Sequence, residues 1–386
     1  MTPGPLEPAL NPRSDAHARV DLAALAGNAR ALAGLAGVPL IAPVKADAYG
    51  HGAELASRAL DAVDGLLAGL AVATAGEALQ LAPLGLRAPL LLLTPSAPEN
   101  LEALVRAGVQ LTVSSEAQLD AVEGAAGRAG RPALVQVKVN TGLNRLGACP
   151  DEAARLLARL SGPGGRARLV GVFTHFIDSE DARPEFAGRQ LELFADFVRR
   201  HRPGVPFLHV ANTGGVLNPA LREGARELGV TAVRPGIGVY GYLPGEEMAG
   251  PAREAGLNLR PAMTLVTRVT FVKRVAAGEV ASYNAAWRAV KPTWLATLRL
   301  GYADGYPRAL SGKASVVWRG RARPLAGRVC MDQVIVDTGD EPAEPEEEVV
   351  VFGPGPVTAE TLAELAGTNS YEILTGVGAR VPRVPA

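Results

Sequence analysis

Eight short apolar runs, separated by longer stretches of mixed polarity, narrow the folds open to this chain more than any other feature. They are PLIAPV (39–44), GLLAGLAVAT (65–74), PLLLLTP (89–95), VQLTVSS (109–115), ALVQVKVN (133–140), ARLVGVFTHF (167–176), FLHVANT (207–213) and TAVRPGIGVYG (231–241). Nearly continuous apolar character suits strands covered on both faces, as in parallel sheets. The segments between them can be helical: over 183–201, Ala187, Leu191, Phe194 and Val198 recur at steps of three and four and so share one face. Eight strand-helix units in about 200 residues predict a (β/α)8 TIM-type barrel. A doubly wound open sheet is the main rival, disfavoured because no GxGxxG follows the first run.

After about residue 250 the texture changes. TLVTRVTFVKRV, TWLATLRLG, SVVWRG, QVIVDT and EVVVFG follow one another between 261 and 352, divided by turns rather than helices. They predict a mainly antiparallel β domain over 251–386, closed by a short helix at TAETLAELAG (358–367). The acidic stretch EPAEPEEE (341–348) reads as a solvated loop. The barrel domain is assigned to 16–250, and the proline-rich segment 1–15 reads as a loose tail. ARVDL (18–22) has no slot in an eight-stranded barrel, so it is expected to pair with the C-terminal domain.

Charge and cysteine usage limit the partners. Lys plus Arg and Asp plus Glu both number 39, which leaves no basic field for nucleic acid or an anionic membrane and favours a small molecule. Two cysteines, Cys149 and Cys330, make no disulfide framework, so a reducing, cytoplasmic compartment is expected. The N-terminal MTPGPLEPALNPRSD lacks the basic start and apolar core of an export signal. No apolar run nears the ~20 residues of a membrane span, and no metal is expected.

Lys45 follows the first run and precedes the turn Tyr49-Gly50-His51-Gly52, which opens a helix. Lysines near strand ends are mostly solvated. One that ends a buried strand can lose its proton and condense with an aldehyde, while the adjacent turn and helix start offer N–H groups to a phosphate. That combination suits pyridoxal phosphate. Barrel chemistry sits at the C-terminal ends of strands, and the unusual polar residues fall there. Lys138 and Asn140 end the fifth run with Arg145 in the loop behind, His175 ends the sixth, Asn212 and Thr213 end the seventh, and Arg234 with Gly236 and Gly238 lies in the eighth.

VKADAYGHG (44–52), VKVNTGLNRLG (137–147), the two arginines and GYADGYPR (301–308) together make the chain resemble alanine racemase, a pyridoxal-phosphate enzyme with a barrel and a β domain. The similarity runs from about residue 16 to RVPR (380–383). It implies interconversion of L- and D-alanine through a cofactor aldimine by two bases, supplying D-alanine for peptidoglycan. Lys45 resembles the lysine that carries the cofactor and serves as one base, and Tyr283 in ASYNAAW resembles the opposite base. Inverting a stereocentre requires a proton to leave one face and another to arrive on the other. In this family the tyrosine comes from the partner subunit, so a head-to-tail homodimer with shared sites is implied. A free phenol is a poor base at neutral pH, and cationic or hydrogen-bonding neighbours would have to stabilise its phenolate.

The same resemblance places Arg234 opposite the pyridine nitrogen, with His175 packed near it and near the tyrosine. Arg145 matches the contact to the cofactor phenolate oxygen and the substrate carboxylate, and Lys138 matches a lysine that carries a carbamate in many members. Tyr49, Asn212, Thr213, Gly236, Ile237 and Tyr371 match the cofactor's surroundings, chiefly its phosphate. Met331 and Tyr302 match substrate-side residues supplied by the partner, Tyr302 lining a narrow access corridor. From residue type alone, Tyr283 and Met331 read equally as core fillers, His175 as a satisfied core histidine and Arg234 as a surface ion-pair residue.

Departures from the family pattern are local. Asn284-Ala285-Ala286 stands where glycine and then threonine or serine usually follow the tyrosine, Asn140 where aspartate is common, and Thr213 where serine is usual. A broader racemase acting on serine or basic amino acids, a related decarboxylase, and a non-catalytic barrel protein that handles pyridoxal phosphate are the alternatives. Proteins of the last kind lack a β domain.

Overall fold

A computed structural model describes residues 15–181 and 184–386. The loose tail expected at 1–15 lies almost wholly outside the described residues. The chain forms two compact units, one of Ala23–Arg260 and one joining the residues up to Leu22 with Pro261–Ala386. These limits differ from 16 and 250, because the first strand, β1 (His17–Val20), pairs antiparallel with β10 (Met263–Val275) and parallel with Arg383–Pro385.

In the larger unit eight parallel strands close on themselves. They are β2 (Leu40–Pro43), β3 (Leu67–Val72), β4 (Leu90–Leu92), β5 (Gln110–Val113), β6 (Ala133–Lys138), β7 (Ala167–Phe173), β8 (Phe207–Val210) and β9 (Ala232–Val233). Leu40 of β2 pairs with Val233 of β9, which completes the ring and excludes an open sheet. The last run yields only two strand residues: Pro235 has no N–H to continue the ladder, and the chain turns into a 3-10 helix at Ile237–Tyr240. Helix Glu185–His201 buries Ala187, Leu191 and Phe194, the stripe expected from their spacing. Burial of Leu191 and Phe194 contributes about 1.5–3 kcal/mol each. No described helix is long and apolar enough to cross a membrane.

The barrel interior is not wholly aliphatic. Gln110 of β5, Gln136 of β6 and His209 of β8 are all buried, with Gln136 and His209 at 0% exposure. Such groups are tolerated only with partners, and they have them, as described below.

The smaller unit is built on β10, whose first half pairs with β1 and with strand Glu348–Phe352 and whose second half pairs with Thr293–Leu298. The acidic stretch is pinned rather than merely solvated. Glu346 meets Arg299 at 2.6 Å, and Glu347 accepts the buried Trp318 indole N–H at 2.9 Å. The C-terminal helix is present at Ala359–Ala366.

Candidate active site

Lys45 leads into an unusual turn. Ala46, Asp47, Ala48 and Tyr49 all have φ between 51° and 55°, a left-handed turn built without glycine. L-residues pay about 1–2 kcal/mol each for that conformation, so the surroundings must hold it. Glu77 accepts from Ala46 N at 2.7 Å with one oxygen and from Ala73 N and Thr74 N with the other. Asp47 accepts from Ala53 N at 2.7 Å and so opens helix Ala53–Asp61. The turn sets the Lys45 amine 6.0 Å from the centre of the Tyr49 ring, which stacks on Tyr240.

Tyr49 lies against the strap that follows β9. A Cβ added at Gly236 would fall 2.5 Å from the Tyr49 hydroxyl, and one at Gly238 would fall 2.8 Å from Thr213 Cγ2. Both glycines therefore give close approach of backbone to side chain. Thr213 Oγ1 accepts from Gly238 N at 3.2 Å. The first N–H groups of the 3-10 turn beginning at Ile237 have no partner within it. Tyr49, Thr213, Gly236 and Ile237 are thus brought together. Asn212 has a further duty: its amide oxygen caps helix Thr213–Leu217 through Gly215 N and also accepts from Ser179 Oγ at 2.6 Å.

Asn140 organises the loop carrying Arg145. Its side-chain oxygen accepts from Gly142 N and Asn144 N, and its amide donates to Asn144 Oδ1 at 2.8 Å. An aspartate could accept both backbone bonds but could not donate the third. Arg234 is buried at 4% exposure. Nη1 donates to His209 Nδ1 at 2.6 Å, and Nη2 donates to Thr174 O at 2.6 Å and to His175 Nδ1 at 3.3 Å.

Positive charge dominates the rim. Burial, then Arg145 and Arg234, hold the Lys45 amine below the ordinary lysine value against the opposing pull of Glu77. Burial, then Arg234, Arg145 and Lys45, push Lys138 down to about 8. Burial brings the Arg234 guanidinium to about 9, still charged at neutral pH. Burial and the Arg234 charge keep His175 and His209 well below the usual histidine range, so both are neutral acceptors toward that arginine. Such a rim suits an anionic ligand, and it makes the Lys45 amine easier to deprotonate than an ordinary lysine.

Tyr283, Tyr302, Met331 and Tyr371 belong to the smaller unit. Tyr302 opens a short 3-10 helix, Tyr302–Asp304, that is joined to the Met331 loop by Tyr302 N to Cys330 O at 2.9 Å and Ala303 N to Met331 O at 3.0 Å. Arg328 N donates to Ser282 Oγ at 2.9 Å, which ties the Tyr283 loop to the segment that leads to Met331. Asn284 takes φ 60° and ψ 28°, a left-handed conformation that asparagine tolerates better than most residues, in the place where glycine is usual. Sequence reasoning missed Glu77, Gln136 and His209. The signal for Gln136 was present in ALVQVKVN, where Gln136, Lys138 and Asn140 alternate on one strand face.

A closed parallel barrel with a buried lysine of lowered basicity among cations at its C-terminal rim, joined to a separate β unit, defines a barrel enzyme of amine chemistry. Residues 20–244 match the alanine racemase N-terminal domain and residues 262–385 the alanine racemase C-terminal domain. The chain is 42% identical over 372 residues to an alanine racemase of Deinococcus radiodurans, covering 96% of this chain and 99% of that one. It superposes on the alanine racemase of Streptomyces coelicolor A3(2) with a TM-score of 0.86 and 38% identity, covering 97% and 99% of the two chains. A Bacillus anthracis alanine racemase with bound L-Ala-P gives a TM-score of 0.84 at 30% identity, covering 97% and 95%. The chain belongs to the alanine racemase family, a family of isomerases.

Proposed function

We propose that this chain interconverts L- and D-alanine with pyridoxal phosphate held at the barrel rim, in a cytoplasmic homodimer that supplies D-alanine for peptidoglycan. The observation that carries this reading is a Lys45 amine of lowered basicity beside the Tyr49, Thr213, Gly236 and Ile237 cradle in a chain matched end to end by alanine racemases.

The residues fit that cofactor. Lys45 suits an aldehyde, and the hydroxyls and N–H groups of the cradle, drawn together where Gly236 and Gly238 let the backbone meet Tyr49 and Thr213, suit a phosphate. Tyr371 is assigned to the same phosphate. When bound, pyridoxal phosphate supplies a conjugated ring that takes up negative charge developing at the amino-acid α-carbon. Arg234 is purely a donor, so a ring nitrogen facing it receives a hydrogen bond and no proton. Charge uptake is then limited, which favours prompt return of a proton to carbon. Arg145 offers a planar fork to the substrate carboxylate, helped by the backbone N–H of Met331. Lys45 holds or releases the proton on one face and Tyr283 of the partner subunit does so on the other.

Exposure supports the shared site. Tyr283 is 71%, Met331 54% and Tyr302 41% exposed in the single chain, on segments that are bonded to one another. The deciding assay follows optical rotation and α-proton exchange in deuterium oxide with L-alanine and L-serine. Exchange with inversion is expected for alanine and only weakly for serine. Equal turnover of serine or a basic amino acid instead establishes the broader racemase, and binding without turnover establishes a carrier.

Lys138 is assigned a carbamate. With a pKa of about 8, roughly one amine in ten is neutral at pH 7, against about one in three thousand for an ordinary lysine. Only the neutral amine attacks carbon dioxide, forming the N–C bond and releasing one proton. The product places an anion among Arg145, Arg234 and Lys45, where the bare ammonium adds another cation. Carbamate content should therefore rise with pH through about 8 and with bicarbonate. Carbon-13 bicarbonate NMR on the intact protein reads it directly, and a bare amine at pH 9 under saturating bicarbonate refutes the assignment.

A further inference from the structure

Behind Arg234 runs a chain of hydrogen bonds with only one self-consistent polarity. Arginine has no acceptor, so the 2.6 Å contact from Nη1 requires His209 Nδ1 to carry a lone pair. A neutral imidazole then bears its proton on Nε2, which donates to Gln136 Oε1 at 2.5 Å. With its oxygen so engaged, Gln136 turns its amide nitrogen to Gln110 Oε1, also at 2.5 Å. All these side chains lie inside the barrel, at 0% to 4% exposure. Gly171 makes room for the chain, because a Cβ there would fall 2.6 Å from Gln136 Cδ and Oε1. Phe173 fixes the imidazole from the side, stacked on His209 at 4.7 Å and 9°.

We propose that Gln136 is a positioning residue that, by keeping His209 a neutral acceptor, holds Arg234 aimed at the ligand. An amide oxygen at position 136 accepts from Nε2 without drawing a second proton onto the ring. A carboxylate of the same length would favour the imidazolium, whose Nδ1–H would then oppose the Arg234 N–H. The charged neighbours of His209 are Arg234 and, across Phe173, Lys138, whose amine lies 5.5 Å from that ring. Neither favours a protonated imidazole, so the ring stays neutral as long as the acceptor at 136 carries no charge. The functional half of this inference rests on Arg234 facing the ring nitrogen of the proposed cofactor. The tautomer half does not.

Nitrogen-15 NMR of histidine-labelled full-length protein separates the two. The chain has only five histidines, and a His209→Gln sample assigns the signal. In wild-type protein His209 should show the neutral Nε2–H form, unchanged from about pH 6 to about pH 9. A wild-type Nδ1–H tautomer, or titration of His209 within that range, overturns the proposal without any variant. Gln136→Glu should convert the signal to imidazolium, whereas Gln136→Leu, which leaves Arg234 donating to Nδ1, should keep the neutral Nε2–H ring. In the loaded enzyme, Gln136→Glu should lower kcat by about ten- to hundredfold, as for outer-shell partners that orient metal ligands, with KM nearly unchanged and the visible absorption band shifted. Unaltered His209 signals in Gln136→Glu refute it. The expected NMR changes without any change in kcat or absorbance would leave the tautomer chain intact and remove Arg234 from the ring nitrogen.

Discussion

Lys45→Ala is expected to reduce racemisation to background, a loss of more than about 10⁴-fold, because it removes a general base that alone contributes about 10²–10⁴-fold and the covalent hold on the cofactor with it. Borohydride should no longer fix the cofactor to the protein. The fold should not suffer. Burial and the neighbouring arginines disfavour the ammonium form of Lys45 in the folded chain, so below the ordinary lysine value the unfolded chain holds this proton more tightly and folding must release it or bury it. Stability contributed by such a group rises as pH climbs from the lowered value toward 10.5. At neutral pH the native lysine is therefore a burden, and the alanine variant should melt no lower than wild type. Function held at the expense of stability is common at active sites. A variant that still racemises above about a hundredth of the wild-type rate would remove Lys45 from the chemistry. One that melts well below wild type would show that its role is to support the left-handed turn.

That turn marks where the sequence stops being legible. Seven of the eight barrel strands coincide with apolar runs because burial on both faces leaves a signal that needs no partner information. The eighth run shrinks to Ala232–Val233 because Pro235 and the following glycines send the chain elsewhere. KADAYG would instead be read as a right-handed helix start, since alanine has the highest helix propensity. What reverses its hand is Glu77, 31 residues away, accepting from Ala46 N. No local pattern encodes such a contact. The Gln110, Gln136 and His209 chain is hidden differently, because each is a single polar residue in an apolar run and its partners lie on other strands. Asn212 is legible in another sense: asparagine immediately before Thr213-Gly214-Gly215 is a helix cap by residue type.

Tyr283→Phe is expected to retain the bound cofactor and its visible absorption while losing about 10²–10⁴-fold in racemisation, the usual contribution of one general acid or base. Phenylalanine keeps the ring that the loop presents and removes only the hydroxyl. Because the change removes one hydroxyl and keeps the ring, on a side chain that is 71% exposed in the single chain, the fold of each subunit should be little affected. The two proton-bearing groups can then be tested for residence on different chains. If Lys45 and Tyr283 of one site come from two subunits, mixing the Lys45→Ala and Tyr283→Phe proteins under exchanging conditions places both lesions in one site of each mixed dimer and neither in the other. Random exchange makes half of the dimers mixed, so activity should recover to about a quarter of wild type. If both groups serve a site within one chain, every site keeps a lesion and mixing restores nothing. A mixture that stays inactive despite proven subunit exchange would therefore overturn the shared site, and undiminished turnover in Tyr283→Phe alone would overturn the second base.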